Sequence, residues 1–209
     1  MSRLDSPIPS EKFPLITAHR TIIAVDVACF CSRGRNNTSQ ARVRHGMYQA
    51  IERAFDSVGI SWTMCDQRDT GDGVLLLVSA DIPKTVFVNY LPNALVTELT
   101  SHNKAHAVSE KIQMRLALHD GEISYDAHGV SGSSITHAFR LLDAGTPKLA
   151  LAQSSAVLAI ISSEWFYDEV IRHSELSQAK SYWPHSVMNT ETTARAWVRL
   201  LSARGQLAG

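Results

Sequence analysis

Asp69-Thr70-Gly71-Asp72-Gly73-Val74-Leu75-Leu76-Leu77-Val78 is a polar turn that runs straight into an unbroken apolar strand. Gly71-Asp72-Gly73 between apolar runs is a tight-hairpin signature, with Ser61 to Gln67 as the preceding strand. A second reading comes from Thr21-Ile22-Ile23-Ala24-Val25, an apolar run closed by Asp26. If the two runs pair, Asp26 and Asp72 finish at one place. Converging carboxylates suit a hard divalent cation that also binds phosphate, so the pattern points toward phosphoryl chemistry. A plain turn would account for Asp72 and a strand-end cap for Asp26, and at this level both readings stand.

Working outward, residues 1 to 17 hold three prolines and no apolar period, which reads as an arm preceding a single domain over residues 18 to 209. Ile22 to Val27 lacks alternation, as expected for a strand covered on both faces. After the polar loop at Arg33 to Asn37, Val43, Met47, Ala50, Ile51, Ala54 and Phe55 recur at helical spacing, with Thr38 or Ser39 as the expected N-cap and Gly59 as the stop. A second helix is expected over Lys84 to Leu99, kinked or divided at Pro92. Gln113 to His119 reads as a strand, Asp120-Gly121 as a turn and Glu122 to Tyr125 as the return. Ile135, Ala138, Phe139 and Leu142 form one helical stripe, with Arg140 well away from it. Ala156 to Ser162 and Trp197 to Leu200 are further strand candidates, with a helical stretch at Glu164 to Arg172. The order strand, helix, hairpin, helix, strand, helix predicts an α+β fold, a mixed sheet with helices on one face.

Lys and Arg number 20 and Asp and Glu 20, so no charge footprint points to nucleic acid or an anionic membrane. The three cysteines are an odd set, and Cys29-Phe30-Cys31 is too close for an ordinary bridge, which fits a reducing cytoplasm. No window reaches membrane-spanning length. His102 and His106 have the spacing of a zinc helix but lack the adjacent glutamate, and a solvated helix end explains them.

Four segments, in order, make the chain resemble the class III nucleotidyl cyclases. Asp26-Val27-Ala28-Cys29-Phe30 keeps that family's Asp-Ile-x-x-Phe spacing, and Arg68-Asp69-Thr70-Gly71-Asp72-Gly73 stands where it has Lys-Thr-Ile-Gly-Asp-Gly. His119-Asp120-Gly121 matches its His-x-Gly step, and Gly132 to Leu141 follows its last helix motif except at one asparagine. The resemblance spans roughly residues 19 to 200. It implies a ferredoxin-like βαββαβ core and a head-to-tail homodimer with shared active sites. It also implies conversion of a nucleoside triphosphate to a 3′,5′-cyclic mononucleotide with two Mg²⁺ or Mn²⁺ ions per site.

By the same resemblance Asp26 and Asp72 are the metal ligands, joined by the Val27 carbonyl. Cys29 and Phe30 lie in the phosphate-binding loop, Arg140 stabilises charge on the α-phosphate, and Arg68 and Gly129 occupy base-reading positions. Thr136 replaces the ribose-orienting asparagine, Arg68 a lysine, and Gly129 the aspartate of adenylate cyclases. Around Ser186 to Glu191 no counterpart of the family's phosphate-binding lysine is evident. These departures leave the base open and permit a pyrimidine, as in the cyclases of anti-phage signalling. The alternative is a catalytically degenerate domain that binds nucleotide or dimerises as a regulator.

Overall fold

The computed structural model of the protein describes residues 16–188 and 193–203. Its centre is β1 (Ile16–Val27), flanked antiparallel by β3 (Gly73–Ser79) and β4 (Met114–Asp126). Register sets Asp26 opposite Gly73 on one side and Arg115 on the other. With β2 (Cys65–Asp69), β6 (Leu158–Ser163), β7 (Trp183–Met188) and β8 (Thr193–Leu201), the sheet order among the described residues is β2-β3-β1-β4-β6-β8-β7. The short β5 (Gly129–Ser131) folds back onto β4. Only β4 and β6 run parallel among these pairs, so the fold is a mixed, mostly antiparallel α+β sheet with helices packed on it.

Helices cover both faces, not the one face expected. Ile23, Val25 and Val27 enter a core with Met47, Ile51 and Phe55 of α1 (Asn37–Ser57) and Leu95 and Leu99 of α3 (Leu91–Ala105). Ile22 and Ala24 enter a second core with Ile135, Ala138, Leu141 and Leu142 of α4 (Ser133–Leu142). Side chains alternate across a strand, so a run apolar at both parities needs cover on both sides. The expected stripe on α4 thus gains Leu141, while Phe139 is only partly buried.

Several boundaries differ for local reasons. The N-cap of α1 is Asn36, whose Oδ1 accepts the Ser39 amide at 2.9 Å, not Thr38 or Ser39. Pro92 divides the second helical region, as expected, into α2 (Thr85–Asn89) and α3, and it lies in the first turn of α3. Asp120-Gly121 is not a turn, since β4 runs through it unbroken. Asp120 is buried, accepts from the Thr21 hydroxyl at 3.0 Å, and meets His19 at 2.5 Å and Lys84 at 3.4 Å. An Asp-Gly pair that reads as a turn is here part of a strand, its aspartate buried with partners.

The strand β1 starts at Ile16, which takes two residues from the expected arm; residues 1 to 15 lie outside the described residues. After α4 come α5 (Gly145–Ala152) and α6 (Glu164–Phe166), the latter running on into a π-helical turn at Tyr167–Ile171. Among the described residues no helix is long and apolar enough to cross a membrane.

Candidate functional site

Asp26 closes β1 and Asp72 lies in the turn between β2 and β3, and the chain holds the two together through its backbone. The Val27 amide donates to the Asp72 carbonyl at 3.0 Å, and the Thr70 amide to the Gly73 carbonyl at 3.1 Å. Gly73 permits the close approach, because a Cβ there would stand 2.0 Å from the Val25 carbonyl oxygen. The backbone segments that carry the two aspartates are therefore adjacent.

Asp26 already has a cation. Arg115 of β4 lies across it, with Nε donating to Oδ1 at 2.7 Å and Nη2 to Oδ2 at 2.5 Å. Burial pushes the Asp26 carboxyl above its ordinary value; the Arg115 guanidinium opposes this, the Asp72 charge adds to it, and Lys148 of α5 pulls down. Arg115 was not singled out in the sequence. Its signal was an arginine inside the apolar run Met114 to Leu118, at the parity that shares a face with Asp26.

Two carboxylates that sense each other fit a hard divalent ion that takes its other ligands from phosphate and water. Among the described residues no group of three or more His, Cys, Asp or Glu could hold a metal alone. Any cation at this place must therefore share Asp26 with Arg115 or displace it.

Arg35 ties the loop after β1 to the segment that precedes β4. Arg35 donates to the carbonyls of Cys29 at 3.1 Å, Lys111 at 2.6 Å and Ser109 at 3.1 Å. Cys29 sits at φ +54° and is exposed, as is Cys31, while Phe30 packs partly against the core with α1. Phe30 thus carries a packing role whatever else it does.

Thr136 and Arg140 lie elsewhere. The exposed Thr136 hydroxyl donates back to the Gly132 carbonyl of its own helix at 3.4 Å. Arg140 lines a cavity of about 490 Å³ with Asp143, Gly145 and Thr146, closed by His185 to Val187 of β7. Neither Asp26 nor Asp72 lines it. Asp143, three residues from Arg140, takes Lys148 at 2.7 Å. Beside Arg140, burial and then the guanidinium hold His137 below its ordinary value, and burial drives His119 down to about 4 with His137 adding to it. The two rings meet edge-on at 4.6 Å, and His119 Nδ1 lies 3.0 Å from the Ser163 hydroxyl.

Arg68 stands on β2, at the edge of the sheet, and is held by Asp66 at 3.1 Å through both Nε and Nη2. Gly129 has φ +133°, where an L side chain is strained, and its amide donates to Asp126 at 3.0 Å. That backbone need accounts for glycine where the resemblance suggests aspartate. Of the segment expected to lack a phosphate lysine, Asn189, Thr190 and Glu191 lie outside the described residues.

No protein-family model matches the chain, and no curated protein matches it. Solved structures do. The guanylyl cyclase Cya2 superposes with a TM-score of 0.61 at 14% identity, over 88% of this chain and 92% of that one. The chain has the class III nucleotidyl cyclase fold. An adenylate/guanylate cyclase/hydrolase from Silicibacter pomeroyi gives 0.60 at 18% identity, over 88% and 98%. A bacterial light-regulated adenylyl cyclase gives 0.59 at 10% identity, over 95% of this chain, which spans 56% of that protein. On this cyclase fold the two aspartates and Arg115 gather at the β1 end, while Arg140 faces the β7 side.

Proposed function

We propose that the chain is a nucleotidyl cyclase that turns a nucleoside triphosphate into a 3′,5′-cyclic mononucleotide and pyrophosphate, at sites shared between the two chains of a homodimer. The observation that carries this reading is the convergence of Asp26 and Asp72, tied by the Val27 amide, on a sheet of cyclase topology. Asp26, Asp72 and the Val27 carbonyl would hold Mg²⁺ or Mn²⁺, which supplies Lewis acidity toward the attacking hydroxyl and the phosphate oxygens.

The chain's own groups do the rest. Arg140 offers a planar fork of donors to the α-phosphate oxygens as charge grows on them. Thr136, freed from its weak bond to Gly132, contributes one hydroxyl toward the ribose. Amides of the Cys29 to Cys31 loop face the triphosphate, and Arg115 supplies positive charge at the same end. Arg68, pre-oriented by Asp66, would meet the base; with no purine-reading lysine or aspartate in place, the base is open and a pyrimidine is permitted. Such a product would suit a signalling role, and anti-phage signalling enters by analogy with cyclases of this fold.

Two observations favour the second reading, a nucleotide-binding or dimerising domain without turnover: Arg115 occupies both oxygens of Asp26, and Thr136 is turned to its own helix. Incubating the purified protein with each of the four ribonucleoside triphosphates and Mn²⁺, with mass spectrometry of the products, separates the two. Cyclic product from any one supports the enzyme, and binding without product from all four supports the regulator.

A further inference from the structure

Two side chains one turn apart on α1 reach across to the turn that carries Asp72. Arg44 Nη1 donates to the Gly71 carbonyl at 2.6 Å, and its Nη2 pairs with the Asp69 carboxylate. The Tyr48 hydroxyl donates to Asp69 Oδ2 at 2.5 Å, and the Arg44 guanidinium lies over the Tyr48 ring at 5.3 Å. Asp69 Oδ1 in turn accepts the Gly71 amide at 2.9 Å. The residue before Asp72 is therefore gripped at both its amide and its carbonyl. The carbonyl of Asp72 itself is fixed by Val27, and Gly73 by the ladder with Asp26.

Asp69 stands where the motif of the resembled family has threonine, so the carboxylate at the centre of this network is a departure from that motif. The network contributes little to global stability, because Asp69 and Arg44 are 45% and 37% exposed at their side chains and exposed ion pairs are worth at most about 1 kcal/mol. Its effect is local: these bonds brace the turn, and a carboxylate on a braced turn needs less ordering when a cation arrives.

We infer that Arg44, Tyr48 and Asp69 are positioning residues that hold the Asp72 carboxylate opposite Asp26 and so set the affinity of this pair for a divalent cation. The inference rests on the reading of Asp26 and Asp72 as cation ligands. Groups that orient a metal ligand commonly change metal affinity about 10- to 100-fold when removed.

The test is Mn²⁺ binding by the purified protein, followed by electron paramagnetic resonance without nucleotide, together with the thermal midpoint without metal. Asp72→Asn identifies the binding that depends on this site. Arg44→Gln and Asp69→Asn should each weaken that binding about tenfold or more with the midpoint nearly unchanged. The double variant should lose no more than the worse single, because both act through one network. Singles within twofold of wild type, or losses that simply add, would overturn the inference while leaving the cation reading intact. If wild type shows no Asp72-dependent Mn²⁺ signal, the cation reading itself fails and the inference goes with it.

Discussion

Asp26 and Arg115 are each 8% exposed, and the guanidinium spans both carboxylate oxygens. Breaking a buried pair by removing one partner leaves an uncompensated charge, which usually costs about 3–5 kcal/mol. Arg115→Met should therefore destabilise the protein by roughly that amount in urea denaturation. Asp26→Asn with Arg115→Met should recover most of the loss, since neither residue is then left charged alone; a double variant as unstable as Arg115→Met would show the cost lies in packing. Asp26 was legible in the sequence because it ends an apolar run. Arg115 was not, because its partner is set by strand register across 89 residues, which no local pattern records.

At the level of elements, α4 against β4 carries both the candidate chemistry and a pH response. His119 has its folded value driven to about 4 by burial, against an ordinary 6.5. The unfolded chain then takes up a proton that the folded chain refuses, so stability is full above pH 6.5 and falls as pH drops toward 4. The loss over that window is on the order of 2–3 kcal/mol. His137, also lowered, acts in the same sense, whereas His19, raised by its bond to Asp120, stabilises below its ordinary value and loses that effect as pH rises. Comparing His119→Gln with wild type from pH 4 to 7 cancels the others; the variant should show the shallower slope. Arg140→Ala belongs to the same element but to function. It should cut turnover about 10²-fold with an unchanged unfolding curve, measured on whichever triphosphate is converted; a loss of stability instead would make Arg140 a structural residue. The helix α4 itself was readable from its stripe. The unbroken β4 was not, because Asp120-Gly121 carries the residue types of a turn and only burial against Thr21, His19 and Lys84 makes it strand.

For the whole molecule, the groups that cyclisation needs do not line one cavity within the chain. Asp26 and Asp72 gather at the end of β1, whereas Arg140 lines a cavity against β7 that neither aspartate borders. On the proposed shared-site reading a single chain would carry two incomplete halves, and a two-fold related pair in which each half meets its complement would make two whole sites. That arrangement has a consequence that a site built within one chain lacks. Asp72→Asn and Arg140→Ala should each fall, alone, to about a hundredth of wild-type activity or less, yet mixing them under exchange should restore activity. With random pairing half the dimers are mixed, and each mixed dimer keeps one intact site of two, so about a quarter of wild-type activity is expected. Recovery should depend on the mixing ratio and peak at equal amounts. Two such variants that stay at that level when mixed, while analytical ultracentrifugation shows the mixed dimer formed, would place the aspartates and Arg140 in one chain's site and remove the shared-site reading.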